Sequence, residues 1–436
     1  MPTENSIGCS SGLIWRTYIP EWTYVMSVDD LDQHSPHPYF GIENDCLMVG
    51  ELCLWDVARL AGRTPFYVYA LRYMTDRIQD LRRLFPREVR IHYSIKANPH
   101  PAVVQHLSRQ VDGLDVASLR EMEVAVNTDI GVDHISFAGP AKEDEELTRA
   151  VELGVTLCVE SELEIERLLA IGRARKRRPL VAIRVNPDFD LKASGMKMGG
   201  GPKAFGIDAE RVPRLLAKLA TEPVDFVGFH IFSGSQNLKS SAILEALQKS
   251  VDLAVTLSRH APAPVRLLIV GGGFGIPYFP GEKSLDVSEI SATVHELSAT
   301  CLRELRAPLR IELGRYIVGE AGLYVTKIVD RKISRGEVFL LTDGGLNHHL
   351  AASGNFGQVI RRNYPVIIGN RPNRGNCEFA NIVGPLCTPL DILAHQVQLP
   401  PAEVGDLVVV FQSGAYGMTA SPLNFLSRCP PVELVV

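Results

Sequence analysis

Cysteine is sparse and unpatterned in this chain. Cys9, Cys46, Cys53, Cys158, Cys301, Cys377, Cys387 and Cys429 are spread over 436 residues, with no CxxC pair and no zinc-ligand spacing, so no metal site is expected. A thin scatter of thiols in a long chain fits a reducing compartment and points to the cytoplasm. Basic blocks are missing too. A formal net charge of −5 gives no electrostatic case for nucleic acid or for an anionic membrane surface. The one dense cluster, Arg173, Arg175, Lys176, Arg177 and Arg178, reads as a solvated helix end. No apolar stretch approaches the ~20 residues of a membrane span. The first residues lack the basic-then-apolar order of a secretory signal. There is no internal repeat and no low-complexity tract.

What is present is the profile of a globular protein. Hydrophobic residues make up 46% and charged residues 22%, enough apolar material for a full core, and the length suggests two domains. Residues 1–44 mix Gly, Ser, Pro and scattered aromatics without period. They read as an N-terminal extension outside the fold, with Met26 as an alternative start.

From about 90 to 315 short β-rich runs alternate with helical periods. The strand candidates are Ile91–Ile95, Gly113–Ala117, His134–Ala138, Thr156–Glu160, Leu180–Val185, Phe226–Ile231, Arg266–Val270 and Leu309–Glu312. Helical spacing fills Pro101–Arg109, Leu119–Val126 and Glu143–Leu153. Eight such units predict an α/β fold, a (β/α)8 barrel over 72–315, with an open doubly wound sheet as the competitor. Beyond 316, runs such as Val325–Val329, Val338–Thr342, Pro365–Ile368, Ile382–Val383 and Leu407–Gln412 predict a mostly β domain. Thr64–Tyr69 is a further strand that could pair with them, so residues 45–71 are grouped with 316–436.

Chemistry in such barrels sits at the C-terminal ends of strands, and the unusual residues fall there. Lys96 closes the first strand in Tyr93-Ser94-Ile95-Lys96-Ala97-Asn98. A lysine with a lowered pKa forms Schiff bases, although a strand-end lysine also snorkels to solvent. Gly271, Gly272 and Gly273 follow the seventh strand, where backbone N–H groups can cradle a phosphate; a plain flexible turn is the other reading. Glu312 ends the eighth strand, before Gly314 and Arg315. Its carboxylate can hold a pyridinium N–H, and Arg315 can meet a phosphate; a local Glu–Arg pair is the alternative. His230 ends the sixth strand, followed by Ser233, and reads either as a ring that stacks on a flat cofactor or as a satisfied core histidine. Asp115 and Arg184 could pair across the barrel. In the β domain, Cys387 sits in the stiff loop Gly384–Asp391, and Tyr416 lies between glycines. Asp343-Gly344-Gly345 and His348-His349 look like a polar turn.

Together these residues resemble the fold-type III pyridoxal-phosphate decarboxylases, the diaminopimelate, ornithine and arginine decarboxylase family, from about Thr64 to the C-terminus. The resemblance implies an alanine-racemase-like barrel, pyridoxal 5′-phosphate carried on Lys96, and Asp115 near the cofactor. It implies His230 stacked on the ring, Glu312 at the pyridine nitrogen, and Ser233, Gly271, Gly272, Gly273, Gly314, Arg315 and Tyr416 around the phosphate. It further implies Cys387 as the proton donor to the substrate carbon from a partner subunit, in a homodimer with shared sites, and Arg315, Thr388, Asp391 and Tyr416 at the substrate. Ser194–Ile207 and Gly271–Phe279 look closest to the exosortase A system-associated decarboxylases, a related member of which acts on a glutamyl group held by an acyl carrier protein. Two positions depart from the diaminopimelate pattern. Leu313 replaces a proline, and Thr388 replaces the acidic residue expected to hold a distal amino group.

The expected activity is removal of the α-carboxylate of an amino acid or carrier-tethered aminoacyl group, releasing CO2 and an amine. One rival is an amino-acid racemase on the same fold, which places an arginine rather than Glu312 at the pyridine nitrogen. The other is a non-catalytic relative, which has no need of Lys96, Cys387 and Glu312 together.

Overall fold

The computed structural model describes residues 34, 39–189, 196–197, 199–358, 360–373 and 375–436. Met26, most of the 1–44 extension and positions 194, 195 and 198 of the Ser194–Ile207 stretch lie outside the described residues.

Strand β1 (Phe66–Tyr69) and helix α1 (Leu71–Leu84) lead into eight strand–helix units. The strands are β2 (Arg90–Ser94), β3 (Gly113–Val116), β4 (Ile135–Phe137), β5 (Thr156–Val159), β6 (Leu180–Asn186), β7 (Asp225–Ile231), β8 (Leu267–Gly271) and β9 (Leu309–Leu313). Each bound lies within one residue of the expectation. The helices that follow them are α2 (Pro101–Ser108), α3 (Leu119–Val126), α4 (Asp144–Leu153), α5 (Glu162–Arg175), α6 (Val212–Leu219), α7 (Ser240–Ser258), α8 (Ser288–Thr300) and α9 (Arg315–Val318). Every strand is parallel to its neighbours, β5 pairs with β6, and β9 pairs back to β2. The sheet is therefore a closed barrel, and the open doubly wound sheet is excluded.

Local signals start and stop these helices. Ser118 and Ser161 accept the backbone N–H groups of Glu121 and Glu164 at the N-termini of α3 and α5, leaving fewer orphan donors. Glu143 and Glu146 form a capping box on α4, and Gly154 ends it at φ 82°. The basic cluster lies at the end of α5 and just past it, where Arg173 pairs with Glu222 and Arg178 with Asp225. Alternating strand residues face helices in the main core. The inward set Ala138, Cys158, Ala182, Val227, Leu267 and Ile269 forms its own apolar cluster, a plug beneath the polar barrel mouth.

The β domain contains β10 (Gly322–Ser334), β11 (Glu337–Thr342), β12 (Val366–Ile368), β13 (Glu378–Val383), β14 (Ile392–Leu399), β15 (Leu407–Val410) and β16 (Val432–Val435). β1 lies between β10, antiparallel, and β16, parallel. The domain is therefore assembled from both sides of the barrel sequence. Its edge is covered by a small meander, Ile42–Glu43, Cys46–Val49 and Leu52–Cys53, which packs Phe40, Leu47 and Val49 against Phe66 and Val409. Phe40, within the stretch grouped by sequence with the extension, is part of this apolar cluster, and Tyr39 packs against it. In the Asp343–Gly345 turn, Gly344 and Gly345 are buried and Asp343 is partly so. His348 meets Asn347 at 3.0 Å and His349 meets Ser413 at 2.9 Å, and burial lowers their pKa values to about 4 and about 3.

Candidate active site

Lys96 lies just beyond β2, in the single turn Ile95–Ala97. Three hydrogen bonds hold that turn: Tyr93 Oη to the Asn98 carbonyl at 2.8 Å, Asn98 Nδ2 to the Gly414 carbonyl at 3.1 Å, and Tyr416 N to the Ala97 carbonyl at 2.9 Å. Two of the three come from the β domain, so the lysine is positioned by both domains. Gly314 permits the approach of the neighbouring turn, since a Cβ there would stand 3.0 Å from the Ala97 Cβ.

The Lys96 amine is 3.7 Å from Asp115 Oδ2, on β3. The amine faces open space at the barrel mouth, with its side chain 43% exposed against 1% for Asp115. Both Asp115 oxygens are buried without a hydrogen-bond partner. Burial, reinforced by the charge of Glu312, pushes the Asp115 carboxyl well above the usual range. Glu312, at the end of β9, behaves oppositely. Burial works against its charge, but His230 and Lys96 prevail and hold it at about 2. His230 Nε2 lies 3.4 Å from Glu312 Oε2. The two carboxyls thus divide, one pushed toward the neutral form and the other kept ionised.

The loops after β7 and β8 form the next wall. Asn237 N donates to the Gly273 carbonyl at 2.9 Å, and Gly275 N donates to the Asn237 carbonyl at 2.8 Å. Gly273 has φ 68°, and a Cβ there would stand 2.8 Å from the Gly234 carbonyl oxygen, so only glycine lets the loops meet. Gly272 N donates to the Glu312 carbonyl, and Gly271 ends β8 beside the Phe232 ring. Ser233 Oγ is buried and unpartnered. Arg315 Nη1 donates to Tyr278 Oη at 2.9 Å, its guanidinium carbon lies 4.8 Å from the Tyr416 ring centre, and its Nε is buried without a partner.

Lys96, Asp115, His230, Ser233, Gly271, Gly272, Gly273, Glu312, Gly314, Arg315 and Tyr416 therefore surround one barrel mouth. Cys387, Thr388 and Asp391 occupy a β-domain loop tied to Leu346. Cys387 is exposed. Thr388 Oγ1 accepts from Leu390 N at 3.3 Å. Asp391 is buried and accepts from Leu346 N at 2.6 Å and Leu386 N at 2.8 Å, so its carboxylate is committed to the loop backbone.

The pairing of Arg184 with Asp115 suggested by the sequence does not form. Arg184 Nη1 donates instead to Glu160 Oε1 at 2.5 Å, and Glu160 also accepts from Gly139 N and Gly206 N, a support beneath the mouth whose other members, Glu160 and Lys142, sequence reading missed. Lys142, 1% exposed, donates to Glu164 at 2.7 Å and to the carbonyls of Cys158 and Gly139. Glu160 had a signal, as a charge closing an apolar strand. Lys142 sits in a loop without period.

Clustered buried polar atoms without partners are costly in a finished interior. Here they point one way: an acceptor for a ring N–H, unpaired donors for an anion, and an amine between them. Such a mouth defines an enzyme built to hold a phosphorylated, aldehyde-bearing cofactor. Residues 71–319 match the family described as pyridoxal-dependent decarboxylase, pyridoxal binding domain. The chain is 35% identical over 380 residues to the L-glutamyl-[BtrI acyl-carrier protein] decarboxylase of Niallia circulans, covering 85% of this chain and 88% of the relative. It is 31% identical to the diaminopimelate decarboxylase of Aquifex aeolicus, covering 88% and 89%. A crystal structure of Helicobacter pylori diaminopimelate decarboxylase complexed with L-lysine superposes with a TM-score of 0.78 at 25% identity, covering 88% and 94%. The chain belongs to the pyridoxal-dependent decarboxylases. It is a carboxy-lyase whose cofactor is pyridoxal phosphate and whose substrate is an amino acid or aminoacyl group. The racemase reading gives way to this one.

Proposed function

We propose that this enzyme decarboxylates an aminoacyl group of the glutamyl type, tethered to a carrier, rather than a free diamine precursor. The observation that carries this is Thr388. It is uncharged and bonded within its own loop, and Asp391 beside it is spent on backbone, so the loop offers no free carboxylate to a distal ammonium. The name of the Niallia circulans relative supports the same substrate class.

Bound pyridoxal phosphate supplies an electron sink for the pair left behind when CO2 departs. Lys96 would hold its aldehyde carbon, with Asp115 steering the amine. Glu312, ionised, would hold the ring N–H, and His230 would lie against the ring face. Ser233, Gly271, Gly272, Gly273, Gly314, Arg315 and Tyr416 would hold the phosphate, with Arg315 and Tyr416 also facing the substrate. Cys387 Sγ would deliver a proton to the substrate Cα. Because Cys387 is exposed on a β-domain loop, we assign it to the site of a second subunit, which makes the enzyme a homodimer. The free cysteines among the described residues fit a cytoplasmic enzyme, and no helix among those residues is long and apolar enough to cross a membrane.

The test is CO2 release from free lysine, ornithine, diaminopimelate and glutamate, and from glutamyl groups on an acyl carrier protein. Release from the tethered glutamyl group alone is expected. Efficient turnover of diaminopimelate would overturn the substrate assignment, and sedimentation as a monomer would overturn the shared site.

A further inference from the structure

Arg315 is a cation at the barrel mouth that forms no ion pair with a carboxylate among the described residues; tyrosines surround it instead. Its Nη1 donates to Tyr278 Oη at 2.9 Å. Its guanidinium carbon lies 5.4 Å from the Tyr278 ring centre and 4.8 Å from that of Tyr416. One hydroxyl and two rings are enough to fix the plane of the fork. Burial raises the Tyr278 pKa, with Arg315 opposing, so the hydroxyl is neutral near pH 7. A neutral acceptor orients the guanidinium without cancelling its charge, which a carboxylate in the same place would do.

Tyr278 is itself held from both sides. It is 3% exposed, in the loop after β8. On the N-terminal side, Gln236 clamps Ile276, donating from Nε2 to its carbonyl at 2.6 Å and accepting its N–H at 3.3 Å. On the C-terminal side, Glu282 Oε2 accepts from Tyr278 N at 2.9 Å and Phe279 N at 3.2 Å. The β domain closes the clasp. Arg362 pairs with Glu282 at 3.1 Å and lies 4.0 Å from the Phe279 ring centre, and the Tyr364 ring packs 4.7 Å from that of Tyr278. None of these contacts touches the mouth, yet all converge on the tyrosine that meets Arg315.

We propose that Tyr278 is a positioning residue that aims the Arg315 guanidinium at the cofactor phosphate. The inference rests on the assignment of Arg315 to that phosphate.

The test is calorimetric binding of pyridoxal 5′-phosphate, and separately of pyridoxal, which lacks the phosphate, to full-length enzyme stripped of its cofactor. Arg315→Met should weaken the phosphorylated ligand roughly a hundredfold and Tyr278→Phe roughly tenfold, with pyridoxal affected by neither. The double variant should bind no more weakly than Arg315→Met alone, because the tyrosine acts through the arginine. If Arg315→Met does not fold, Arg315→Lys takes its place. A purely structural role for Tyr278 would weaken both ligands alike. That outcome, unchanged binding in Tyr278→Phe, or losses that multiply in the double variant would overturn the positioning role. Wild-type affinity in Arg315→Met would instead remove the arginine from the phosphate, and the role of Tyr278 with it.

Discussion

Glu312 Oε2, on β9, lies 3.4 Å from His230 Nε2, on β7, with β8 between the two strands, and neither side chain's remaining atoms are spent elsewhere: Glu312 Oε1 and His230 Nδ1 are buried without partners. A carboxylate held at about 2 in such a place is built to face a cation. Glu312→Gln keeps the shape and removes the charge. The enzyme should still bind its cofactor, with kcat lower by roughly a hundredfold, measured as CO2 release at saturating cofactor.

Lys96→Ala should remove the absorbance near about 420 nm that a lysine-bound pyridoxal group gives. The side chain makes no hydrogen bond that the fold needs, so the melting temperature of the cofactor-free protein should barely move. A retained band would displace Lys96 from its role.

Cys387→Ala should leave that band in place and reduce amine formation by roughly a hundredfold or more, the scale of a lost proton donor. The readout is amine produced per turnover by mass spectrometry. Unchanged product would remove the thiol from the mechanism.

Lys142→Met breaks a pair in which both partners are at most 5% exposed. Leaving Glu164 charged and alone should cost about 3–5 kcal/mol, read from urea unfolding. Lys142→Met with Glu164→Leu should recover much of it. If the single variant is as stable as wild type, the clamp under Glu160 and Arg184 is dispensable.

Asp112 gives a pH test. It accepts from Ile91 N at 2.7 Å and pairs with Arg82 at 2.6 Å and Arg90 at 3.2 Å. Burial acts to raise its pKa, but the Ile91 N–H and Arg82 outweigh it and the net shift is downward. A depressed carboxylate stabilises the fold above its unfolded pKa, and that contribution disappears as pH falls through the folded value. Asp112→Asn should therefore cost about 2 kcal/mol near neutrality, with the difference from wild type shrinking as pH falls below about 3.9. Equal loss at all pH values would contradict the assignment.

The barrel was legible because its signals are local. Strands such as Leu180–Asn186 are nearly continuous apolar runs, and helix starts such as Ser118 and Ser161 announce themselves. The mouth was legible because its charged and glycine residues interrupt those runs at their ends. β14 was missed: His395, Gln396 and Gln398 break its apolar pattern, and Gln396, at φ 47°, lies where its pairing with β13 slips register. β16 is four residues after two prolines, and only β1, more than 360 positions earlier, makes it a strand. Lys142 gave no sign, because the partners that define it come from other elements.

The placement of β1 has a consequence for biosynthesis. That strand precedes every part of the barrel in sequence, yet its partners β10 and β16 both come after the barrel. The barrel can close before either partner of that strand has been made, leaving Phe66–Tyr69 as an unpaired apolar ribbon until β10 follows, and with one edge open until β16 does. Removing residues 432–436, which hold β16, would leave one edge of Phe66–Tyr69 open permanently. Such a truncated enzyme should carry an intact cofactor-binding barrel and still be drawn into aggregates or captured by chaperones through that open edge.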